Sequence, residues 1–313
     1  MVVYPLSGSL GNRTGGAAFV EMPGLTVTPD PSGPTDPFNP QVPGGALPTG
    51  GDGYGQSSDW SSLQNLGSLG ATYDWPMHRW LPVRGQLVAK DGTRYAYTEF
   101  GPANKVHVVD VATASDRVVF AVGRFVATAY DAEGIVLVHV GPVINEPVSP
   151  PEPNGVWLLD PVSGHLRQVT TDPKYWGDVS SGHAWRREGD GLLRLDLRSG
   201  VIAEWARWPG MEIRVIGFDN QGHPVVDVRH PNIVEQPQIT EWVAAVRDNP
   251  TKILEVYNGP QSTEHGTEGF GIPTALGDEH GVWLDVTWGL YQYVAIQAEK
   301  RSPLTGQLAG SCQ

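Results

Sequence analysis

The side chains best suited to bind or transform a polar ligand recur just ahead of β-rich runs. They are Trp75, His78 and Arg79, then Arg124, then Tyr175, Trp176 and Asp178, then Glu212 and Arg214, and last His265 and Glu268. Asp178, Glu212 and Glu268, with Asp74 as a further carboxylate, are the groups a glycoside-cleaving site needs. Such a site takes two or three carboxyls at one mouth, one of them held protonated. His78 or His265 would serve as the base of a lyase. The tryptophans and Tyr175 offer flat apolar platforms, and with mixed charge around them they suit a carbohydrate, a peptide or another protein. His265 and Glu268 stand three apart, a helical metal-ligand spacing, but Gly266 and Gly269 oppose a helix there. A polar loop is expected, with no metal and no cofactor. The Gly-Lys pair of a phosphate-binding loop, the Gly-x-Ser-x-Gly elbow and the His-Glu-x-x-His zinc pattern are all absent.

Positioning those groups falls to a repeat. One half-unit is an apolar run, a glycine turn and a second strand. It occurs at Lys90-Asp91-Gly92, at Asp131 to Gly134, at Ser180-Ser181-Gly182, at Asp219 to Gly222 and at Asp278 to Gly281. The other half-unit is a strand that often ends in Asp and enters a tight turn. Its copies are Val106 to Asp110, Val156 to Asp160 and Leu192 to Asp196, with looser ones at Glu241 to Val246 and Gly289 to Tyr293. The halves alternate with a period of about 40–60 residues, the length of a four-stranded propeller blade. No stretch of similar length has helical periodicity. The expected fold is all-β: a β-propeller of five four-stranded antiparallel blades.

Leu87 to Tyr97 followed by Val106 to Thr113 resembles the repeat of TolB-like and WD-repeat-like bacterial propellers, and Gly155 to Gly164 resembles the matching strand of the next blade. The resemblance spans about residues 75–295 and lacks the strict Trp-Asp dipeptide of eukaryotic WD repeats. It implies the fold and an extracytoplasmic location. It leaves function open, because these propellers serve many roles.

In such a blade the glycine turns and the Asp turns share one end, and the longer connections gather at the other. The longer ones here are Gly141 to Asn154, His230 to Thr240, Thr171 to Gly177 and Gly259 to Gly271. Long loops on a rigid scaffold are where binding residues usually lie. The links between blades are expected to bring Trp75, His78, Arg79, Arg124, Tyr175, Trp176, Asp178, Glu212, Arg214, His265 and Glu268 to a channel rim as a ligand-binding set.

Residues 1–28 form an N-terminal β segment expected to complete a terminal blade. Residues 29–59 are rich in Pro and Gly and form an irregular tether. The propeller spans 60–302, and a tail with little strand character spans 303–313. Over the 313 residues, 39 are Gly and 27 are Pro, and the net charge is −13. Acidity argues against a nucleic-acid partner. No run reaches the ~18 apolar residues of a membrane span, and the start has no export-signal pattern. The one cysteine, Cys312, excludes an internal disulfide. The reading is a non-enzymatic extracytoplasmic binding or interaction module for a protein, peptide or carbohydrate. Its rival is a carbohydrate-active hydrolase or lyase using the same face.

Overall fold

A computed structural model describes residues 2–5, 17–21, 26–33, 72–99, 103–139, 155–230, 238–247, 249–260, 274–286, 289–294, 298–302 and 306–310. The chain starts with β1 (Val2–Pro5), β2 (Ala18–Glu21) and β3 (Thr26–Pro29). A hairpin follows, β4 (Thr72–Asp74) and β5 (Arg79–Leu81). The first repeat sheet is β6 (Arg94–Glu99), β7 (Lys105–Asp110) and β8 (Asp116–Phe120), with Val88 bridged to Tyr95 in place of a full inner strand. The second is β9 (Phe125–Asp131), β10 (Gly134–His139), β11 (Val156–Leu159) and β12 (Leu166–Thr170). The third is β13 (Asp178–Ser180), β14 (His183–Glu188), β15 (Gly191–Asp196) and β16 (Ile202–Arg207). The fourth is β17 (Glu212–Phe218), β18 (Pro224–Arg229), β19 (Gln238–Val246) and β20 (Pro250–Pro260). The fifth is β21 (Thr274–Asp278), β22 (Gly281–Val286), β23 (Gly289–Tyr293) and β24 (Ala298–Ser302). The chain then forms β25 (Gly306–Gly310).

Among the described residues, five sheets have four strands, one has three and one has two. The five glycine turns of the sequence repeat open the five repeat sheets. In each fully strand-built repeat sheet, strands neighbour one another in chain order, as an antiparallel meander. The terminal sheet differs: its order is β25-β1-β2-β3, so both ends of the chain share it. The N-terminal strands thus meet the other end of the chain in a sheet separate from the fifth repeat sheet, which has four strands of its own. One expectation is corrected. The tail contains a strand, β25, whose Gly-Gln-Leu-Ala-Gly sequence has no β-branched or aromatic residue to announce it. Its order comes from backbone pairing with Val2 to Pro5. From residue 34 onward the tether lies outside the described residues, as do the loops 141–154, 231–237 and 261–273 and Cys312.

The turns explain the recurrent aspartates. Asp160 Oδ1 accepts from the Val162 and Ser163 amides, Asp196 Oδ1 from those of Arg198 and Ser199, and Asp110 Oδ1 from that of Thr113. At the glycine turns Asp91 receives the Thr93 amide, Asp131 that of Glu133, and Asp278 that of His280. A short carboxylate closes the turn on its own backbone, which is why Asp recurs at these positions. The hydrogen bonds hold the carboxyls of Asp91, Asp110, Asp160 and Asp196 below their usual range.

The chain divides into two compact units, Met1–Asp30 with Trp185–Arg194 and Ile202–Gln313, and Pro31–Ala184 with Leu195–Val201. In the second unit, a core of Leu81, Leu87, Tyr95, Val106, Phe125, Ile135, Leu137 and Leu159 lies between the first two repeat sheets. Two outer-strand arginines clasp neighbouring turns there. Arg117 donates to the Pro161 carbonyl at 2.6 Å and Arg167 to the Leu197 carbonyl at 3.0 Å. In the first unit, β18 is buried on both faces. Val226 and Val228 pack with Trp185, Leu192 and Ala206. Val225 packs with Val243, Val282, Leu284 and Tyr293. Inner strands β17 and β21 meet closely: a Cβ on Gly217 would lie 1.9 Å from the Ala275 carbonyl oxygen, and one on Gly277 2.2 Å from the Asp219 backbone.

Candidate functional site

In the second unit, Trp75 and His78 belong to the β4–β5 turn and Arg79 to β5 itself, so none of the three lies on a link between repeat sheets. The turn forms because Asp74 accepts the Met77 amide at 3.1 Å and its neighbours form an aromatic cluster. Tyr73 meets Trp75 edge-on at 4.9 Å and Trp80 at 5.4 Å. Burial raises the Asp74 carboxyl above its ordinary range, against the pull of the Met77 amide and Arg79. Arg79 is committed to structure through its 2.9 Å hydrogen bond to the Val111 carbonyl. His78 is exposed and has a positive φ of 48°.

Arg124 does precede β9, and Tyr175 and Trp176 do lie on the link between β12 and β13, with Asp178 opening β13. Trp176 is 0% exposed. Its indole is core and offers no platform to a ligand. Tyr175 is 46% exposed. Its hydroxyl end turns back over the bare backbone of Gly177, where a Cβ would lie 1.6 Å from the oxygen. Burial of the hydroxyl, then the charge of Asp178, raises the phenol, against Arg84. Arg84 is itself lowered by burial, opposed by Tyr175 and Asp178. These three form the polar group of this link.

His107 of the first sheet makes a second polar group. Nδ1 lies 2.9 Å from Asp116 and Nε2 3.1 Å from Glu99, and the ring stacks on Tyr97 at 4.4 Å. It ties β6, β7 and β8 together.

Among the described residues, the densest ionisable group is in the first unit, on the fourth sheet. Cross-strand register sets Glu212 opposite Arg229 and Arg214 opposite Asp227, and sets Glu241 on the far side of Arg229. Directly opposed residues share a face, and Asp227 and Arg229 are two apart, so all five share one face. That face is the one from which Val225 and Val243 meet the fifth sheet. Glu212, Arg229 and Glu241 stand at the sheet end away from the Asp219 turn, where the longer connections leave. Glu212 receives hydrogen bonds from Arg187 at 2.6 Å and Arg229 at 3.1 Å. Burial works to raise its carboxyl, but the two guanidiniums outweigh it and hold it below its usual range. Asp227 and Glu241 are 2% and 4% exposed. They stand diagonally on adjacent strands of this face, and Asp227 Oδ1 is buried without a partner. Burial, then the Asp227 charge, pushes Glu241 up to about 7. Burial also raises Asp227, with Arg229 opposing.

Of the expected binding set, Tyr175 and Asp178 come together beside Arg84, and Glu212 and Arg214 come together beside Asp227, Arg229 and Glu241. His265 and Glu268 lie outside the described residues. The last three residues of the fourth-sheet group were missed by sequence reasoning. A signal existed: Asp227 interrupts the run Val225-Val226-Asp227-Val228, and an acid inside a strand buried on both faces needs a partner. Among the described residues no group of three or more His, Cys, Asp and Glu is placed to hold a metal ion. No helix among them is long and apolar enough to cross a membrane.

The sequence matches no protein-family profile and no curated protein. Distant structural matches are to β-propeller proteins. TolB from Acinetobacter baumannii is 12% identical, with 64% of this chain and 50% of that one covered and a TM-score of 0.38. An oligogalacturonate lyase from Vibrio parahaemolyticus is 12% identical, with 87% and 69% covered and a TM-score of 0.37. An oligogalacturonate lyase in complex with manganese is 12% identical, with 67% and 62% covered and a TM-score of 0.35. The chain therefore spans 62% of the length of that lyase and 50% of that of TolB.

Proposed function

We propose that the protein is a non-enzymatic, extracytoplasmic binding module with five repeat blades of propeller type, and that it takes a polar ligand at the long-connection end of the fourth sheet. Arg214 carries this reading. Its guanidinium is exposed beside a buried acid pair, while Glu212 in the same face is already held by Arg187 and Arg229. A planar fork of donors left at the surface next to fixed charges is suited to grip a carboxylate or a sugar hydroxyl pair. Rigid strands hold that fork in place, which lowers the ordering cost of binding. Glycan and peptide arrays separate a carbohydrate from a peptide or a folded protein as the partner. Arg214→Ala should weaken binding of the array hit at least tenfold in calorimetric titration while leaving the melting temperature unchanged. Undiminished binding by this variant would remove the fourth sheet from the site.

One observation favours an enzyme instead. Glu241, kept protonated near neutrality, has the property of a general acid. Turnover of a polysaccharide panel that disappears in Glu241→Gln would establish a hydrolase or lyase. No turnover by the wild type leaves the binding reading in place.

A further inference from the structure

The pair formed by Asp227 and Glu241 has chemistry that its neighbours do not share. Register places Asp227 and Glu241 diagonally across β18 and β19 on one face, and two such carboxyls can share a hydrogen bond only when one carries a proton, because an ionised carboxylate is an acceptor alone. Both are more than nine-tenths buried, on adjacent strands, and one Asp227 oxygen has no partner. When both are ionised, two negative charges share a site from which water is largely excluded, and that arrangement is strongly unfavourable.

The surroundings do not neutralise the second charge. From β17 the group is faced by Glu212 and Arg214, and on β18 by Arg229. Arg229 already serves Glu212 at 3.1 Å, and Arg214 is exposed, so its charge is screened by solvent. On β20, Tyr257 stands opposite Glu241 in register. The fifth sheet presents Val282, Leu284, Tyr291 and Tyr293 to this face, none of them cationic.

We propose that Asp227 and Glu241 form a proton-dependent latch between β18 and β19: sharing one proton they hold the long-connection end of the fourth sheet closed, and on losing it they repel and let that end open. The latch does not rest on the ligand reading, because it operates in the free protein. The direction follows from the raised carboxyls. Between the ordinary 4.5 of a glutamate and about 7, the folded chain binds more protons than the unfolded one. Stability is therefore present in full at the acid side of that window and falls as pH rises through it. The opening end is also the end at which the proposed ligand would sit, so opening would couple to its access.

The test uses the full chain without ligand. Thermal unfolding and amide exchange, corrected for the intrinsic pH dependence of exchange, are followed from pH 5 to pH 8. In the wild type the melting temperature should fall, and protection at Val228 and Val243 should drop at least tenfold, while the second-unit strands β10 and β11 stay protected. Glu241→Gln keeps a donor for Asp227 but cannot titrate, so its profile should be flat. Wild-type protection independent of pH, or a Glu241→Gln profile with the wild-type slope, would overturn the latch. If Glu241→Gln fails to fold, carbon-detected titration of the wild-type carboxyls decides. One carboxyl of the pair titrating near neutrality supports the latch, and both titrating in the ordinary range sinks it.

Discussion

Trp176 and Tyr175 are sequence neighbours with opposite fates. Both were expected on a binding surface because large aromatics near charges make good platforms. The chain direction at the β12–β13 link puts the indole into the core and leaves the phenol ring partly out, with its hydroxyl folded over Gly177. Trp176→Ala should cost about 3–5 kcal/mol, the usual range for emptying a buried large aromatic site. Tyr175→Ala should cost well under half of that, because much of its surface already meets water. Chemical denaturation of the two variants compares these costs directly. Equal losses would mean that the burial difference has no energetic weight. The contrast also shows why residue type alone is a weak guide at such links: alternation along a strand predicts facing, and a connecting link has no such period.

At the scale of elements, the Asp turn is the device that repeats. Asp219 is the most deeply placed example. Its carboxylate accepts the Gln221 and His223 amides and the Arg247 guanidinium, at 2.9, 2.8 and 2.9 Å. It thereby closes the β17–β18 turn and ties it to the end of β19. Asp219→Ala would leave these donors to find water at the turn and should cost about 2–3 kcal/mol, since a partner lost from a buried network typically costs 1–3 kcal/mol. The neighbouring approach of Gly277 to the Asp219 backbone leaves little room for relaxation. Urea unfolding midpoints test the figure. Asp219→Asn, which retains an acceptor, should recover part of the loss, and a variant pair with identical midpoints would argue that the amides bond elsewhere. Turn and strand were both legible at this scale, because each carries its own local chemistry: a glycine for the turn, a carboxylate to close it, and apolar residues on both faces of the strand.

For the whole molecule, the decisive element is the terminal sheet. β25 pairs with β1 through Val3↔Leu308, Tyr4↔Gln307 and Pro5↔Gly306. Ending the chain after Ser302 would strip β1 of this neighbour and leave an unpaired strand edge, which is a site for association between copies. The shortened chain should melt lower by about 2–4 °C for each kcal/mol of pairing lost, and should associate at concentrations where the full chain does not. Calorimetry and light scattering check the two consequences. A shortened chain with unchanged melting and no association would show that β25 contributes nothing to the terminal sheet.

By itself, the amino-acid sequence determined the all-β class, the recurrence of antiparallel sheets, the glycine turns and the aspartates that close them. Each rests on interactions within a few residues of chain, so local spacing records it. Tertiary structure alone decided the rest. It paired β25 with β1 across nearly the whole chain, through backbone groups that every sequence has. It buried Trp176 and turned the Trp75–His78 segment into a hairpin. It also set Asp227 beside Glu241, fourteen positions away, through the register of β18 on β19. That pairing joins two acids into one proton-sharing group, and no property of either acid's own sequence neighbourhood names the other.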